Sequence, residues 1–167
     1  CSLSAMKRLF FIGYMGAGKS HAAKQFAQAS CRPYVDLDDA VELAMGQTIQ
    51  AAFLEHGEAY FRRHEAKVLA QVIGDTTIQI VACGGGATCA SGVDQMLIRA
   101  GHVVHLDPAI EVLISRLLKQ QHRPVLTRRG KPFDAQGIQN HWLERHACYA
   151  FAHERLSETV SEEDFRR

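Results

Sequence analysis

Short apolar runs alternate with longer stretches of helical period along most of the chain. Leu9–Ile12 is an unbroken apolar run, as a strand buried on both faces requires; a glycine-rich octad follows, then a helix reaching about Ser30. Pro33 sets a boundary, after which residues 34–39 read as a short strand ending in three carboxylates, Asp36, Asp38 and Asp39. A helix over residues 40–45 stops at Gly46, and Thr48 is placed to cap another over residues 49–55, which Gly57 ends. The next helix, residues 58–73, keeps Phe61, Val68, Leu69 and Val72 on its apolar side. Residues 77–82 are rich in β-formers and run directly into Gly84, Gly85 and Gly86.

Further along, residues 91–100 predict a helix closed by Gly101, and residues 102–106 a strand. Asp107 with Pro108 is read as the cap of a helix from Ala109 to about Lys119. The helical period is lost over residues 120–134 and returns over residues 136–152, ahead of a last strand near Arg155 and Leu156. No internal repeat or low-complexity segment interrupts this order. The alternation predicts one α/β domain, a parallel sheet with helices on both faces, and a ligand at the carboxyl ends of its strands.

Composition narrows the partners. A chain of 167 residues, 47% hydrophobic, suits a single domain with a sizeable core. Its net charge of +1 supplies no bulk field for nucleic acid or a membrane surface, so neither is expected as a partner. No apolar run approaches the roughly 20 residues that span a bilayer. The first residues lack the apolar core of a signal peptide, and Met6 is read as the natural start. A monomeric, cytoplasmic protein is expected. Five cysteines (Cys1, Cys31, Cys83, Cys89, Cys148) without a C-x-x-C pair predict reduced thiols rather than a disulfide frame. The histidines show no zinc-binding spacing: His102 and His105 flank two valines, and His141 and His146 stand five apart.

The chemistry concentrates in Gly13-Tyr14-Met15-Gly16-Ala17-Gly18-Lys19-Ser20, which fits G-x-x-x-x-G-K-[ST] at every fixed position between a strand and a helix. Glycines let successive N–H groups converge on phosphate oxygens, and the helix adds its positive end. Lys19 is a point charge for the β- and γ-phosphates, and the Ser20 hydroxyl is a Mg²⁺ ligand. The strand before Gly84 has no acid at its end, so Asp36 is the candidate for the second metal-side carboxylate. Asp38, two residues on, points the same way if the chain stays extended and can accept a bond from an acceptor hydroxyl. Asp39 points away and is free to cap the following helix. Three glycines directly after a buried strand imply close approach of a ligand or backbone. Arg62 is open to pairing with Glu58 or Glu65, or to joining Arg145 in a clamp for a small carboxylate. The basic segment 120–134, with Arg123, suits a lid over phosphates.

Taken together, GYMGAGKS, VDLDD, GEAYFRRHE, CGGGAT, GHVVHLD, RLLKQQHRPVL and ERHACYAFA resemble the shikimate kinase family in order, from about Arg8 to Leu156. The resemblance implies a nucleoside-monophosphate-kinase type fold, a P-loop kinase with a five-stranded parallel sheet. A substrate-binding subdomain at about 37–65 and a lid at about 120–134 complete it. It also implies transfer of phosphate from ATP, with Mg²⁺, to the 3-hydroxyl of shikimate. Lys19, Asp38 and Arg123 then resemble the catalytic residues. Gly16, Ala17, Gly18, Lys19, Ser20, His21, Arg116 and Arg123 resemble the nucleotide site, with Arg116 on adenine. Asp38, Arg62, Gly84, Gly85, Gly86 and Arg145 resemble the shikimate site, and Ser20 and Asp36 the metal site. Two departures bear on nucleotide binding. His21 stands where the family usually has Thr, and the segment 157–160 lacks the Arg or Pro of its adenine-side loop. Alternatives are another small-molecule P-loop kinase, such as a gluconate kinase, and a non-catalytic nucleotide-binding module.

Overall fold

Phe10, Phe11 and Ile12 are consecutive and all at most 1% exposed, which requires cover on both faces of the strand they form. That strand, β1 (Leu9–Ile12), is the middle of the sheet in the computed structural model, which describes residues 7–119, 127–128 and 131–157. Its neighbours are β3 (Ile80–Ala82) and β4 (His102–Leu106), with Phe10 in register with Val81 on one side and Val103 on the other. β2 (Tyr34–Asp36) flanks β3, and β7 (Glu154–Leu156) flanks β4. All five strands are parallel, in the order β2-β3-β1-β4-β7. Every carboxyl end therefore opens on one edge, where P-loop and carboxylates meet.

The helices are α1 (Lys19–Ser30), α2 (Leu37–Met45), α3 (Ile49–His56), α4 (Glu58–Gly74), α5 (Val93–Ala100), α6 (Ile110–Lys119) and α7 (Ala135–His146). Thr48 accepts from the Ala51 N–H and starts α3, as its position predicts, while Glu42 of α2 accepts from the Ile49 N–H. These bonds fasten α3 to α2, and both pack on α4. A two-stranded antiparallel pair, β5 (Thr127–Arg128) with β6 (Lys131–Pro132), occupies part of the expected lid; Arg123 lies outside the described residues. So does the adenine-side segment from residue 158 onward. No helix among the described residues is long and apolar enough to cross a membrane.

Several local expectations fail for identifiable reasons. The helix expected from Ala40 begins at Leu37, because Asp36 caps it by accepting from the Asp38 N–H at 2.9 Å. Asp36, not Asp39, is the cap, and Asp38 leaves the strand direction for the first turn of a helix. The strand expected from Thr77 starts only at Ile80, since Asp75 accepts from both the Thr77 N–H and hydroxyl and folds a turn there. Asp107 does not cap the following helix, which starts at Ile110; its carboxylate accepts from Arg155 Nε at 2.7 Å and pairs with His146. The helix expected over residues 136–152 ends at His146 in a 3₁₀ turn, Ala147–Tyr149. A second 3₁₀ turn, Ala87–Cys89, follows the triple glycine.

The cysteines also depart from expectation. Cys89 and Cys148 form a disulfide, while Cys31 and Cys83 are free thiols. An odd cysteine count conceals a pair when its partners are far apart in sequence, here separated by 59 positions.

Leu97 of α5 is fully buried and Leu43 of α2 is 85% exposed, so the two give a direct test of the core. Leu97→Ala should cost about 2–5 kcal/mol and lower the melting temperature by roughly 5–15 °C. Leu43→Ala should stay within about 0.5 kcal/mol. Calorimetry of both variants checks the difference.

Candidate active site

The loop between β1 and α1 is shaped to present backbone donors. Gly18 is the N-cap of α1 at φ 91°, in the left-handed region, and no side chain caps the helix or places an acid in its first turn. The N–H groups of Lys19, Ser20 and His21 are thus the uncapped donors at the positive end of a 12-residue helix. Lys19 Nζ donates to the Tyr14 carbonyl at 2.9 Å, which folds the side chain back along the loop. Arg116 Nη1 donates to the Gly16 carbonyl at 2.9 Å and so holds the loop from α6. Ser20 and His21 are exposed and border the same cavity, of about 750 Å³, as Asp36, Asp38, Arg62 and Arg145. Its size suits a small-molecule site.

Gly85 and Gly86 border that cavity, and the Gly84–Gly86 turn makes three close approaches. A Cβ on Gly84 would stand 2.7 Å from Glu65 Oε1 and 2.8 Å from Asp38 Oδ1. One on Gly85 would press on Met15 of the P-loop at 3.0–3.2 Å. One on Gly86 would collide with Arg145 Nη1 and with both terminal nitrogens of Arg62, at 2.6 and 2.8 Å. Arg62 and Arg145, from α4 and the last turn of α7, therefore converge on one backbone position, where their guanidinium groups can grip a carboxylate. Arg62 is half-buried, and neighbouring Arg63 is exposed.

Glu65 is the site residue that sequence reasoning left as an ordinary ion-pair partner. It is 4% exposed, binds Arg62 Nη1 through Oε2 at 2.6 Å, and leaves Oε1 buried without a hydrogen-bond partner. Arg62 reaches Glu58 as well, at 3.3 Å, so both pairings open in the sequence occur together. Desolvation raises the Glu65 carboxyl above its ordinary value despite the attraction of Arg62. Its signal was legible: Glu65 lies four residues after Phe61 and three before Val68, within the buried stripe of α4. Tyr14 and Tyr149 were also missed. The Tyr14 hydroxyl bonds His141 Nδ1 at 2.6 Å, tying the P-loop to α7, and the Tyr149 hydroxyl donates to the Gly85 carbonyl at 2.6 Å. Burial pushes the Tyr14 hydroxyl up to about 12, so it stays protonated and able to donate.

The end of β3 carries Cys83 where a metal-side acid is common in P-loop proteins. Cys83 is buried, and desolvation lifts its thiol to about 12, so it is neutral. A divalent cation would therefore draw on Asp36 and Ser20, which border one cavity. Asp36 commits Oδ1 to the α2 cap and leaves its second oxygen for a cation; these hard oxygens fit Mg²⁺. No cluster of three or more His, Cys, Asp or Glu suited to a metal occurs among the described residues.

A P-loop on a five-stranded parallel sheet, sharing its cavity with a two-arginine clamp and a carboxylate, defines a small-molecule kinase of the P-loop class. The profile of one family, described as shikimate kinase, matches residues 15–165, and the chain belongs to that family. A shikimate kinase of Xanthomonas campestris pv. campestris is 38% identical over 120 residues, which cover 72% of this chain and 66% of that protein. A solved shikimate kinase from Acinetobacter baumannii, in complex with shikimate, superposes with a TM-score of 0.85. It is 26% identical, over 96% of this chain and 88% of the other. A gluconokinase from Sinorhizobium meliloti, at 15% identity over 94% of this chain and 86% of its own, shares the fold alone, with a TM-score of 0.57.

The raised Glu65 carboxyl makes a stability prediction. The folded state holds this proton more tightly than the unfolded chain, so stability falls as pH rises from the ordinary 4.5 through the raised folded value. Above that value the cost is complete. Glu65→Gln removes the component, and its melting temperature should vary less with pH over this acid range. Parallel curves for the two proteins would contradict the assignment.

Proposed function

We infer that this chain transfers the γ-phosphoryl group of ATP to the 3-hydroxyl of shikimate, giving shikimate 3-phosphate and ADP on the route to chorismate and the aromatic amino acids. The observation that carries this reading is the convergence of Arg62 and Arg145 on Gly86, beside Asp38, in the cavity the P-loop borders. Such an arrangement suits an acceptor with a carboxylate at one end and hydroxyls at the other.

Each residue then has a defined task. The N–H groups of the P-loop and the first turn of α1 bind the outer phosphates, and Lys19 brings its charge to the β- and γ-phosphates, where negative charge builds as ADP leaves. Arg62, held by Glu58 and Glu65, and Arg145 fix the acceptor's carboxylate. Asp38 accepts a hydrogen bond from the acceptor hydroxyl and orients it in line; a loose transition state asks for little proton removal before transfer. Mg²⁺ held by Ser20 and Asp36 would neutralise charge on the β- and γ-phosphates. Arg116 lies against the loop where the nucleotide base enters. Residues 37–65 serve as the acceptor subdomain, and Arg123 in the lid at 120–134 supplies the last positive charge on closure. The protein acts as a cytoplasmic monomer in this reading.

A coupled assay with ATP and shikimate, gluconate or no acceptor tests the whole reading. ATP turnover that ignores shikimate would defeat it, and turnover with gluconate alone would favour the related kinase class. Arg62→Lys should raise KM for shikimate by roughly 10–100-fold, because a two-pronged contact becomes a point charge. KM for ATP should stay within about twofold. Equal losses for both substrates would remove Arg62 from the acceptor clamp.

A further inference from the structure

The two 3₁₀ turns, Ala87–Cys89 and Ala147–Tyr149, continue the Gly84–Gly86 turn and the Arg145 end of α7 respectively. The first begins directly after Gly86, and the second follows α7, with Arg145 three residues before Cys148. Three ties join these segments. The Tyr149 hydroxyl donates to the Gly85 carbonyl, Arg145 lies against Gly86, and the Cys89–Cys148 bond closes the pair with Cα atoms 5.0 Å apart. Only the last is covalent. Cys89 is exposed and Cys148 half-buried, so the bond can be reached from solvent. Cys83 is its opposite: buried, with a thiol lifted to about 12, it is no nucleophile. Cys31 ends α1, a whole helix away from the P-loop.

We propose that Cys89 and Cys148 form a reversible thiol–disulfide exchange site, which takes low-molecular-weight thiols and disulfides and sets the affinity of the acceptor pocket. This rests on the reading of that pocket as the shikimate site. In the reducing direction a small thiolate attacks the exposed Cys89 sulfur. A mixed disulfide forms there, and the Cys89–Cys148 bond breaks to release the Cys148 thiolate. A second small thiolate then attacks the outer sulfur of the mixed disulfide and releases Cys89. Two small thiols become one small disulfide, and their two protons end on the protein's sulfurs. Oxidation by the same small disulfide is the exact reverse.

The effect is confined by where the ties lie. Opening the bond removes the covalent tie and leaves the Tyr149–Gly85 hydrogen bond and the approach of Arg145 to Gly86 to hold that end of α7 to the Gly84–Gly86 turn. The P-loop keeps Arg116 of α6 on Gly16, and Tyr14 keeps His141, which stands one turn before Arg145 in α7. A displacement on the order of 1 Å at a positioned group is enough to change activity strongly. Reduction should therefore weaken the acceptor and spare the nucleotide.

The protein equilibrated with oxidised glutathione is to be compared with the same protein in reduced glutathione. Thiol titration in denaturant should find two fewer thiols in the oxidised form, and its melting temperature should be about 10 °C higher. KM for shikimate should rise roughly three- to tenfold on reduction, with KM for ATP unchanged. A Cys89→Ser, Cys148→Ser double variant should show the reduced-form KM in both buffers. Equal thiol counts, equal shikimate KM in the two states, or a redox effect that survives in the double variant would each overturn the proposal. Loss of shikimate phosphorylation in both states would instead overturn the functional reading. Thiol count and melting, read without acceptor, keep the two failures apart.

Discussion

The site depends on the absence of side chains at three successive positions. Gly84 admits two carboxylates, Gly85 admits the P-loop, and Gly86 admits two guanidinium groups. Bringing Arg62 and Arg145 to one point carries a cost: like charges in contact repel by about 1 kcal/mol in water and several-fold more at a partly buried site. Glu58 and Glu65 offset this on the Arg62 side, while Arg145 has no ion-pair partner within 4 Å among the described residues. A bound anion would complete the neutralisation. The pair is thus partly neutralised and leaves positive charge bordering the cavity.

The P-loop and the two converging arginines are linked through α7. One turn of that helix separates His141, which bonds Tyr14 of the P-loop, from Arg145 at the clamp. Burial lowers the His141 imidazole below its ordinary value, so it stays neutral and its Nδ1 can accept from the protonated Tyr14 hydroxyl. Gly85 provides a second link, since it packs on Met15 and its carbonyl takes the Tyr149 hydroxyl. A shift of the whole helix would reach both halves of the cavity, whereas a shift confined to its last turn moves Arg145 and leaves His141 with Tyr14.

Much of this was legible because it follows from period and from residues with one dominant use. The run at Leu9–Ile12 and the helices bounded by Gly46, Thr48 and Gly57 obey local rules, and the structure places them within a few residues. The octad from Gly13 to Ser20 carries its own geometry. What was not legible depends on groups distant in sequence or on competition within a turn. Asp36 reads equally as a strand end or as a cap, and only its bond to the Asp38 N–H decides. Asp107 has the spacing of a cap, yet Arg155, 48 residues away, claims it. Glu65 is the instructive case: a carboxylate inside an apolar stripe signals a buried charge and its pairing with Arg62 is local to α4, but its approach to Gly84 appears only once α4 meets the end of β3.

Cys83, directly after β3, leaves that part of the cavity wall without a negative charge. With that position neutral, the carboxylates that line the cavity are Asp36, Asp38, Glu42 and Glu65. Burial is the main cause that raises the Asp39 and Glu65 carboxyls, with Asp36 and Glu42 adding to the first and Asp38 to the second. Asp36 then has two duties that act on one another. One oxygen holds the N–H of Asp38 and so sets where that residue stands; the other is the oxygen a divalent cation would use. A cation at Asp36 would draw on the same carboxylate that places Asp38, coupling the metal side of the donor site to the alignment of the acceptor hydroxyl through a single helix cap.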